Sequence, residues 1–235
     1  MTITTPNTNT DMIVLGRPTL IKGARSVKEA NAIDAMLLRL RSYQNDRHLG
    51  SLCIGLTSCR ARSGVSTLAS SSALRASLLG MGKVLLVDGD MLHPVAHRNF
   101  GLSREPGLAD FLSTGGDVTD FIQKSKDRDL DVLSAGSAEF EDIGFATNAL
   151  QSLFADLRTR YQTIFVDIPS FDSVGNSFFM ATQLDGLLMV LDPRLTRERE
   201  SQQFIHFLAE NKVEVIGGIM NRYQSVLPKW IRRWV

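Results

Sequence analysis

The sequence predicts an α/β fold with a doubly wound, mainly parallel sheet that carries helices on both faces. From residue 51 onward, short apolar runs alternate with helical stretches, and this alternation is typical of parallel sheets. The runs are apolar at consecutive positions, as expected of strands that are buried on both faces. A chain of 235 residues is long enough to bury such a sheet in one domain.

Four segments follow one another along the chain. They are a flexible N-terminal tail at 1–25, an N-terminal helix at 26–48, the α/β domain at 51–225 and a basic, aromatic tail at 226–235. Within the first tail, Met12 to Leu15 is a short apolar piece suited to docking. The helix begins with a capping box formed by Ser26 and Glu29, and apolar residues then recur at spacings of three and four.

The α/β domain contains six predicted strands and five predicted helices. Strands are predicted at 52–56, 84–87, 130–133, 164–166, 187–191 and 213–220. Helices are predicted at 64–79, 107–113, 146–160, 174–183 and 196–211. The first helix ends at Gly80-Met81-Gly82, because glycine is the usual residue after a helix C-terminus.

Composition argues against several classes of function. Lys plus Arg number 26 and Asp plus Glu 25, so the net charge is +1, whereas proteins that bind nucleic acid carry a clear positive excess. Two cysteines are too few for a disulfide framework and indicate a reducing compartment. The N-terminus shows no secretory signal, and the apolar runs are far shorter than the about 20 residues that span a bilayer. We therefore expect a cytoplasmic protein that binds no nucleic acid.

The loop between the first strand and the first helix of the domain is placed to bind phosphate. Amides of a tight loop and of a helix N-terminus attract anions. The usual pattern there is Gly, four residues, then Gly-Lys-Ser/Thr. Here Cys59 stands at the first glycine, Gly64 at the second, Val65 at the lysine and Ser66 at the hydroxyl. The match is damaged, so a plain strand–loop–helix connection remains an alternative.

Carboxylates follow two of the predicted strands. Asp88 and Asp90 come after 84–87, and Asp167 comes after 164–166. Parallel strands bring their carboxyl ends to the same edge of a sheet, where ligands bind. Mg²⁺ prefers oxygen ligands of this kind, although each aspartate taken alone also suits the cap of a following helix.

Residues 51–221 resemble the P-loop ATPase domain of the bacterial tyrosine kinases, the CapB- and CpsD-like proteins of capsule and exopolysaccharide synthesis. The segment Val84 to Pro94, followed by His97 and Phe100, is similar to the second Walker motif of that family. Thr163 to Pro169 resembles its Walker B strand, and Gly217 to Asn221 resembles its last core strand.

The resemblance implies a P-loop NTPase fold of the partition and bacterial tyrosine kinase type, with ATP or ADP and Mg²⁺ as cofactors. It implies the following nucleotide-binding residues: Arg60, Arg62, Ser63, Gly64, Val65, Ser66, Thr67 and, at the adenine, Asn221. Ser66, Asp88 and Asp167 would hold Mg²⁺, and Asp88 with Asp90 would be catalytic. Arg60 or Arg62 would bind phosphate in place of the missing lysine, since arginine binds phosphate bidentately; two solvated loop arginines are the alternative.

The chain departs from this family in three places. Val65 replaces the loop lysine, and loss of a donor that stabilises transition-state charge costs about a hundred- to a thousand-fold in rate. When Arg41 is aligned with the last arginine of the family's Glu-Arg-Arg assembly motif, Ala35 and Leu38 fill the other two positions. The tyrosine-rich tail is missing. We therefore expect weak or absent ATP turnover, that is, a pseudokinase.

From the resemblance we expect an accessory protein of exopolysaccharide synthesis and export. It would dock on the cytoplasmic face of an inner-membrane polysaccharide co-polymerase and so lie peripherally at that membrane. One alternative is an active ATPase or tyrosine kinase that uses Arg60 or Arg62 in place of the lysine. Another is a membrane-positioning ATPase of the partition type. Whether the chain forms a homo-oligomer stays open.

The second tail interleaves tryptophan with basic residues. In residues 228–235, Trp230 and Trp234 alternate with Lys229, Arg232 and Arg233. Such a segment suits an anionic membrane surface, where each basic residue contributes about 1 kcal/mol. It equally suits an acidic partner, and folding back of the tryptophans on the domain is the third possibility.

Overall fold

The structure, a computed structural model, describes residues 12–14, 27–126, 129–137, 143–171 and 175–222. Its eight strands are β1 (Met12–Val14), β2 (Leu52–Thr57), β3 (Val84–Asp88), β4 (Ile122–Lys124), β5 (Leu130–Leu133), β6 (Thr163–Asp167), β7 (Gly186–Leu191) and β8 (Val215–Met220). Its seven α-helices are α1 (Val27–Asp46), α2 (Val65–Leu78), α3 (Ala96–Phe100), α4 (Leu108–Thr114), α5 (Ile143–Arg160), α6 (Gly175–Ala181) and α7 (Glu198–Glu210).

The strands form one sheet in the order β1-β8-β7-β2-β6-β3-β5-β4. Every neighbouring pair is parallel except β4 with β5. The predicted α/β class and mainly parallel sheet are therefore confirmed.

Two apolar cores lie on opposite faces of this sheet. Along β3, Leu86 faces the core that contains α1, α2 and α3, whereas Leu85 and Val87 face the core that contains α4 to α7. The same strand thus supplies apolar side chains to both faces, which is why its sequence is apolar at consecutive positions. All residues of β2, β3 and β6 are buried.

The strand order determines where the candidate site lies. β6 lies between β2 and β3, so the loop after β2 and the carboxylates that end β3 and β6 share one edge of the sheet. In the β3–β6 pair, Asp88 stands opposite Asp167. Parallel pairing therefore brings together residues that are 79 positions apart in the sequence.

Several short elements were not anticipated. Met12–Val14, which we assigned to the flexible tail, pairs in parallel with β8 at one end of the sheet. At the other end, β4 is preceded by a 3-10 turn at Val118–Phe121.

The N-terminal helix, α1, is linked to α2 by Arg75, whose Nε donates to Asp34 Oδ1 over 2.8 Å.

The remaining parts of both tails, including 226–235, lie outside the described residues. In the described part of the chain, no helix combines the length and the apolar character that crossing a bilayer requires.

Candidate functional site

The loop between β2 and α2 presents a helix N-terminus that is open to a ligand. Gly64 is the N-cap of α2 and has φ 94°, a left-handed conformation that glycine adopts without a steric penalty. The amides of Val65, Ser66 and Thr67 have no intrahelical acceptors, as in the first turn of any helix, and glycine has no side chain to cap them. These amides and the positive end of the helix dipole favour an anion at this position.

The loop is closed by hydrogen bonds within itself. The carbonyl oxygen of Arg60 accepts from the hydroxyls of Ser58 and Ser63, each over 2.7 Å. Arg62 has φ 64°, a left-handed backbone that is uncommon for a residue with a side chain. The turn at residues 60–63 is therefore fixed by the protein's own groups.

Two consecutive residues after β8 hold the loop from outside. Asn221 Nδ2 donates to the carbonyl oxygen of Ser63 over 2.7 Å. Arg222 Nη1 donates to the carbonyl oxygen of Arg62 over 2.8 Å and to Asp192 Oδ2 over 3.1 Å. We call Asn221, Arg222 and Asp192 the loop brace. Asn221 is fully buried, and its Oδ1 has no hydrogen-bond partner among the described residues.

Sequence reasoning missed Asp192 and Arg222. Asp192 directly follows the apolar run of β7, and the same position after an apolar run identified Asp88 and Asp167. In the structure Asp192 is fully buried. Hydrogen bonds from the Arg194 guanidinium, the shortest 2.7 Å, hold the pKa of the Asp192 carboxyl well below its usual range, and Arg222 adds to this effect. Asp192 is therefore a charged anchor for the brace.

Arg60 is engaged away from the loop interior. Its Nη2 and Nε donate to the two carboxylate oxygens of Glu200 on α7, over 2.7 and 3.2 Å. Arg62 is exposed, as Arg60 is. Arg60, one of the two arginines proposed to replace the lysine, thus forms a bidentate ion pair between the loop and α7.

Val65 is packed into the protein interior. Its side chain is 9% exposed and belongs to the apolar core on the α1–α2 face. The first residue of α2 consequently offers a ligand its backbone amide and no charge. The hydroxyl of the next residue, Ser66, acts on the Asp167 carboxylate and lowers its pKa.

Asp88 and Asp167 form a buried carboxylate pair next to this loop. Asp88 Oδ2 accepts from the amides of Val95 and Ala96 over 3.0 and 2.9 Å, whereas its Oδ1 is buried with no partner among the described residues. Burial raises the pKa of Asp88 to about 6. Burial and the charge of Asp88 raise the pKa of Asp167 well above its usual range. The pair is thus destabilised as two anions and suited to a cation.

The oxygen donors present fit Mg²⁺. They are the free Oδ1 of Asp88, the Asp167 carboxylate and the Ser66 hydroxyl. The described residues include no cluster of three or more His, Cys, Asp or Glu that could hold a metal by themselves. Mg²⁺ is usually held by one or two carboxylates together with phosphate oxygens and water, so this donor set suits a metal that arrives with a nucleotide.

Asp90 lies apart from that donor set. Its Oδ1 accepts from the amide of His93 over 2.9 Å, and its side chain is 18% exposed. This contact shapes the turn after β3. The negative charge of Asp90 also contributes to the raised pKa of Asp88.

Two of the three tyrosines lie at the amino ends of the strands, on the opposite side of the sheet from the phosphate loop. The Tyr43 hydroxyl donates to the carbonyl oxygen of Asp185, just before β7, over 2.8 Å. Tyr161 lies just before β6, and its hydroxyl donates to Asp131 Oδ2 over 2.8 Å. Burial raises the pKa of Tyr43 to about 12 and that of Tyr161 further. Tyr223 lies outside the described residues.

Comparison with known proteins agrees with this geometry. No protein-family model matches the chain. It is 26% identical over 168 residues to the putative tyrosine-protein kinase CapB of Staphylococcus aureus, covering 71% of this chain and 73% of that protein. It is 27% identical over 177 residues to the tyrosine-protein kinase YwqD of Bacillus subtilis, covering 75% and 73%. The VpsO kinase domain superposes with a TM-score of 0.72 and 29% identity, over 83% of this chain and 95% of that one.

The chain resembles the bacterial tyrosine kinases in sequence and fold. Its P-loop NTPase fold is shared more widely. The septum site-determining protein MinD of Pyrococcus horikoshii, solved as a complex with Mg-ADP, matches with a TM-score of 0.62 and 20% identity. That match covers 78% of this chain and 76% of that one, and it shows the fold of this chain alone.

Proposed function

We propose that this bacterial tyrosine kinase relative is an accessory protein of exopolysaccharide synthesis that binds Mg-nucleotide weakly and transfers phosphoryl groups slowly or not at all. The observation that carries the proposal is Val65. Where a P-loop has an amine that reaches the phosphates, this chain has an isopropyl group packed in the core.

The electrostatics of the site support weak binding. Asp88 and Asp167 are both buried, so two carboxylates stand close to the place where phosphates would lie. Arg60 is neutralised by Glu200. A charge-assisted hydrogen bond is worth roughly 1.5–3 kcal/mol, and without the lysine the remaining attraction comes from the loop amides, the dipole of α2 and Mg²⁺.

When bound, Mg²⁺ would neutralise phosphate charge in this site. Ser66, Asp88 and Asp167 would hold it, and the amides at the start of α2 would bind the phosphates. Asn221 would bind adenine only after a rearrangement, because its side chain is fully buried against the loop. Asp88 stays the candidate base, and Asp90 supports the turn that follows it.

The tyrosines support the absence of autophosphorylation at two positions. The hydroxyls of Tyr43 and Tyr161 are hydrogen-bonded at the edge of the sheet opposite the loop. Neither reaches the carboxylate pair within the same molecule without unfolding of the surrounding elements.

Val65→Lys tests the role of the missing amine. The matched control is Val65→Met, which has a flexible side chain of similar length without charge. We expect Mg-ADP affinity, measured by calorimetry, to rise roughly tenfold or more in the lysine variant alone, as one charge-assisted hydrogen bond predicts. Equal affinities of the two variants would contradict the role assigned to Val65.

Wild-type turnover tests the pseudokinase proposal directly. We expect ATP hydrolysis by the purified chain to stay at the level of the Asp88→Asn variant. Hydrolysis well above that level, or transfer of labelled phosphate to Tyr223, would instead establish an active ATPase or kinase that uses Arg62 or Arg60.

The proposed partner is a polysaccharide co-polymerase on the cytoplasmic face of the inner membrane. We expect the tagged chain to co-purify with such a membrane protein when both are expressed together, and to do so with Val65→Lys as well. Failure to co-purify would refute the docking proposal and leave the nucleotide proposal intact. Nucleotide-dependent dimerisation on vesicles would favour a partition-type ATPase.

A further inference from the structure

A cleft with aromatic walls lies directly beside the phosphate loop. Its volume is about 400 Å³. Its aromatic lining is Phe171, Phe204 and Phe207, and Cys59, Arg60, Glu200 and Gln203 complete the wall. We call these seven residues the aromatic cleft.

The cleft is built to hold an apolar, aromatic group. The rings of Phe171 and Phe204 pack at 4.8 Å between centroids, at an angle of 55°. Burial raises the pKa of the Cys59 thiol to about 11, so this side chain is uncharged and adds to the apolar wall. Pockets of about 300–1,000 Å³ with mainly apolar walls and a few polar groups are typical of ligand sites, and an indole packs well against such rings.

The C-terminal tail has the reach to fill the cleft. The described chain ends at Arg222, whose guanidinium bonds the carbonyl oxygen of Arg62. Arg62 is two residues from Arg60 in the cleft wall, a separation of at most about 7 Å. Trp230 is eight residues beyond Arg222, which gives an extended reach of about 26–29 Å. The tail therefore leaves the domain close to the cleft.

The tail also has the matching chemistry. Residues 223–235 contain both tryptophans of the chain, three basic residues and no acidic residue. The cleft offers aromatic rings, and its carboxylate, Glu200, is already paired with Arg60. A tryptophan of the tail thus meets an apolar, aromatic wall.

We propose that residues 223–235 fold back and place a tryptophan in the aromatic cleft. Two residues of the cleft, Cys59 and Arg60, belong to the phosphate loop itself. The docked tail therefore contacts the phosphate loop.

Tryptophan fluorescence tests the proposal without an added label, because Trp230 and Trp234 are the only tryptophans of the chain. We expect the full chain to show blue-shifted emission and slow acrylamide quenching, compared with the urea-unfolded chain. Emission of the folded chain at the unfolded wavelength would overturn the proposal.

A pair of substitutions on α7 links the signal to the cleft. Gln203 is exposed and lines the cleft, whereas Gln202 is exposed and contacts Glu198 instead. Both Gln203→Arg and Gln202→Arg add one positive charge to the same helix. We expect the blue shift to be lost in Gln203→Arg alone, with far-UV circular dichroism unchanged in both variants.

The other destinations of the tail give different results. If both variants keep the wild-type emission, the tail does not occupy the cleft and the proposal is wrong. If emission shifts to the blue only after anionic vesicles are added, and does so equally in both variants, the tail binds membrane instead of the cleft.

Discussion

Replacing Asp88 with asparagine should stabilise the protein at neutral pH. Asp88 is fully buried, and its pKa is raised from 3.8 to about 6. The folded state thus binds a proton more tightly than the unfolded state, so stability falls as the pH rises from about 4 through about 6. At 1.36 kcal/mol for each pKa unit, the cost of the charge is roughly 3 kcal/mol at pH 7.5 and about half of that at pH 5.

Asparagine keeps the useful contacts of Asp88. Its side-chain oxygen can accept from the amides of Val95 and Ala96, as Oδ2 does now. Its amide nitrogen takes the position of the unpartnered Oδ1, where it faces a site that already carries the Asp167 carboxylate. We expect a gain of up to about 3 kcal/mol in the free energy of unfolding at pH 7.5.

Urea unfolding in the presence of EDTA measures this gain at pH 5 and pH 7.5. Asp120→Asn is the matched control, because Asp120 is exposed and its charge is solvated. The gain for Asp88→Asn should be larger at pH 7.5, and the control should change little at either pH. A variant that is no more stable than wild type at pH 7.5 would refute the reasoning about buried charge.

Two other substitutions probe the architecture around the site. Gly107→Ala should destabilise the fold by about 2–4 kcal/mol, because a Cβ there would collide with the backbone of Ser134 and Gly136. Gly50→Ala is the control in the same thermal or urea assay, since a Cβ at Gly50 would have no atom within 4 Å. Arg222→Ala should cost about 1–3 kcal/mol, since Arg62 loses a hydrogen bond and buried Asp192 keeps fewer partners. Urea unfolding with no loss for Arg222→Ala would show that the brace does not hold the loop.

The main elements could be predicted because their signals are local. Runs such as Val84–Val87 are apolar throughout, and a glycine pair ends the first helix of the domain. Three short elements, β1, β4 and α3, were missed because they are too short to show a period. Tertiary contacts, and not propensity, determine them.

The site was only partly accessible from the sequence. Asp88 and Asp167 could be placed at one edge because each ends an apolar strand. The loop brace could not be predicted, because Arg222 donates to the carbonyl oxygen of Arg62, a backbone group that every residue has. The aromatic cleft combines residues from the loop, from the segment after β6 and from α7. A sequence pattern within one segment does not predict contacts between three segments.

The position of the loop brace in the chain affects the timing of assembly during synthesis. The loop at 58–64 is made early, but Ser63 and Arg62 are held from outside by residues 221 and 222, which are 158 and 160 positions further along the chain. A domain generally folds as a unit once its residues have left the ribosome. A nascent chain that has not yet exposed β8 has the sequence of most strands but lacks the contacts that order this loop. Any nucleotide binding that requires this loop to be ordered is therefore deferred until residues 221 and 222 have been made, and fragments ending before β8 should lack it.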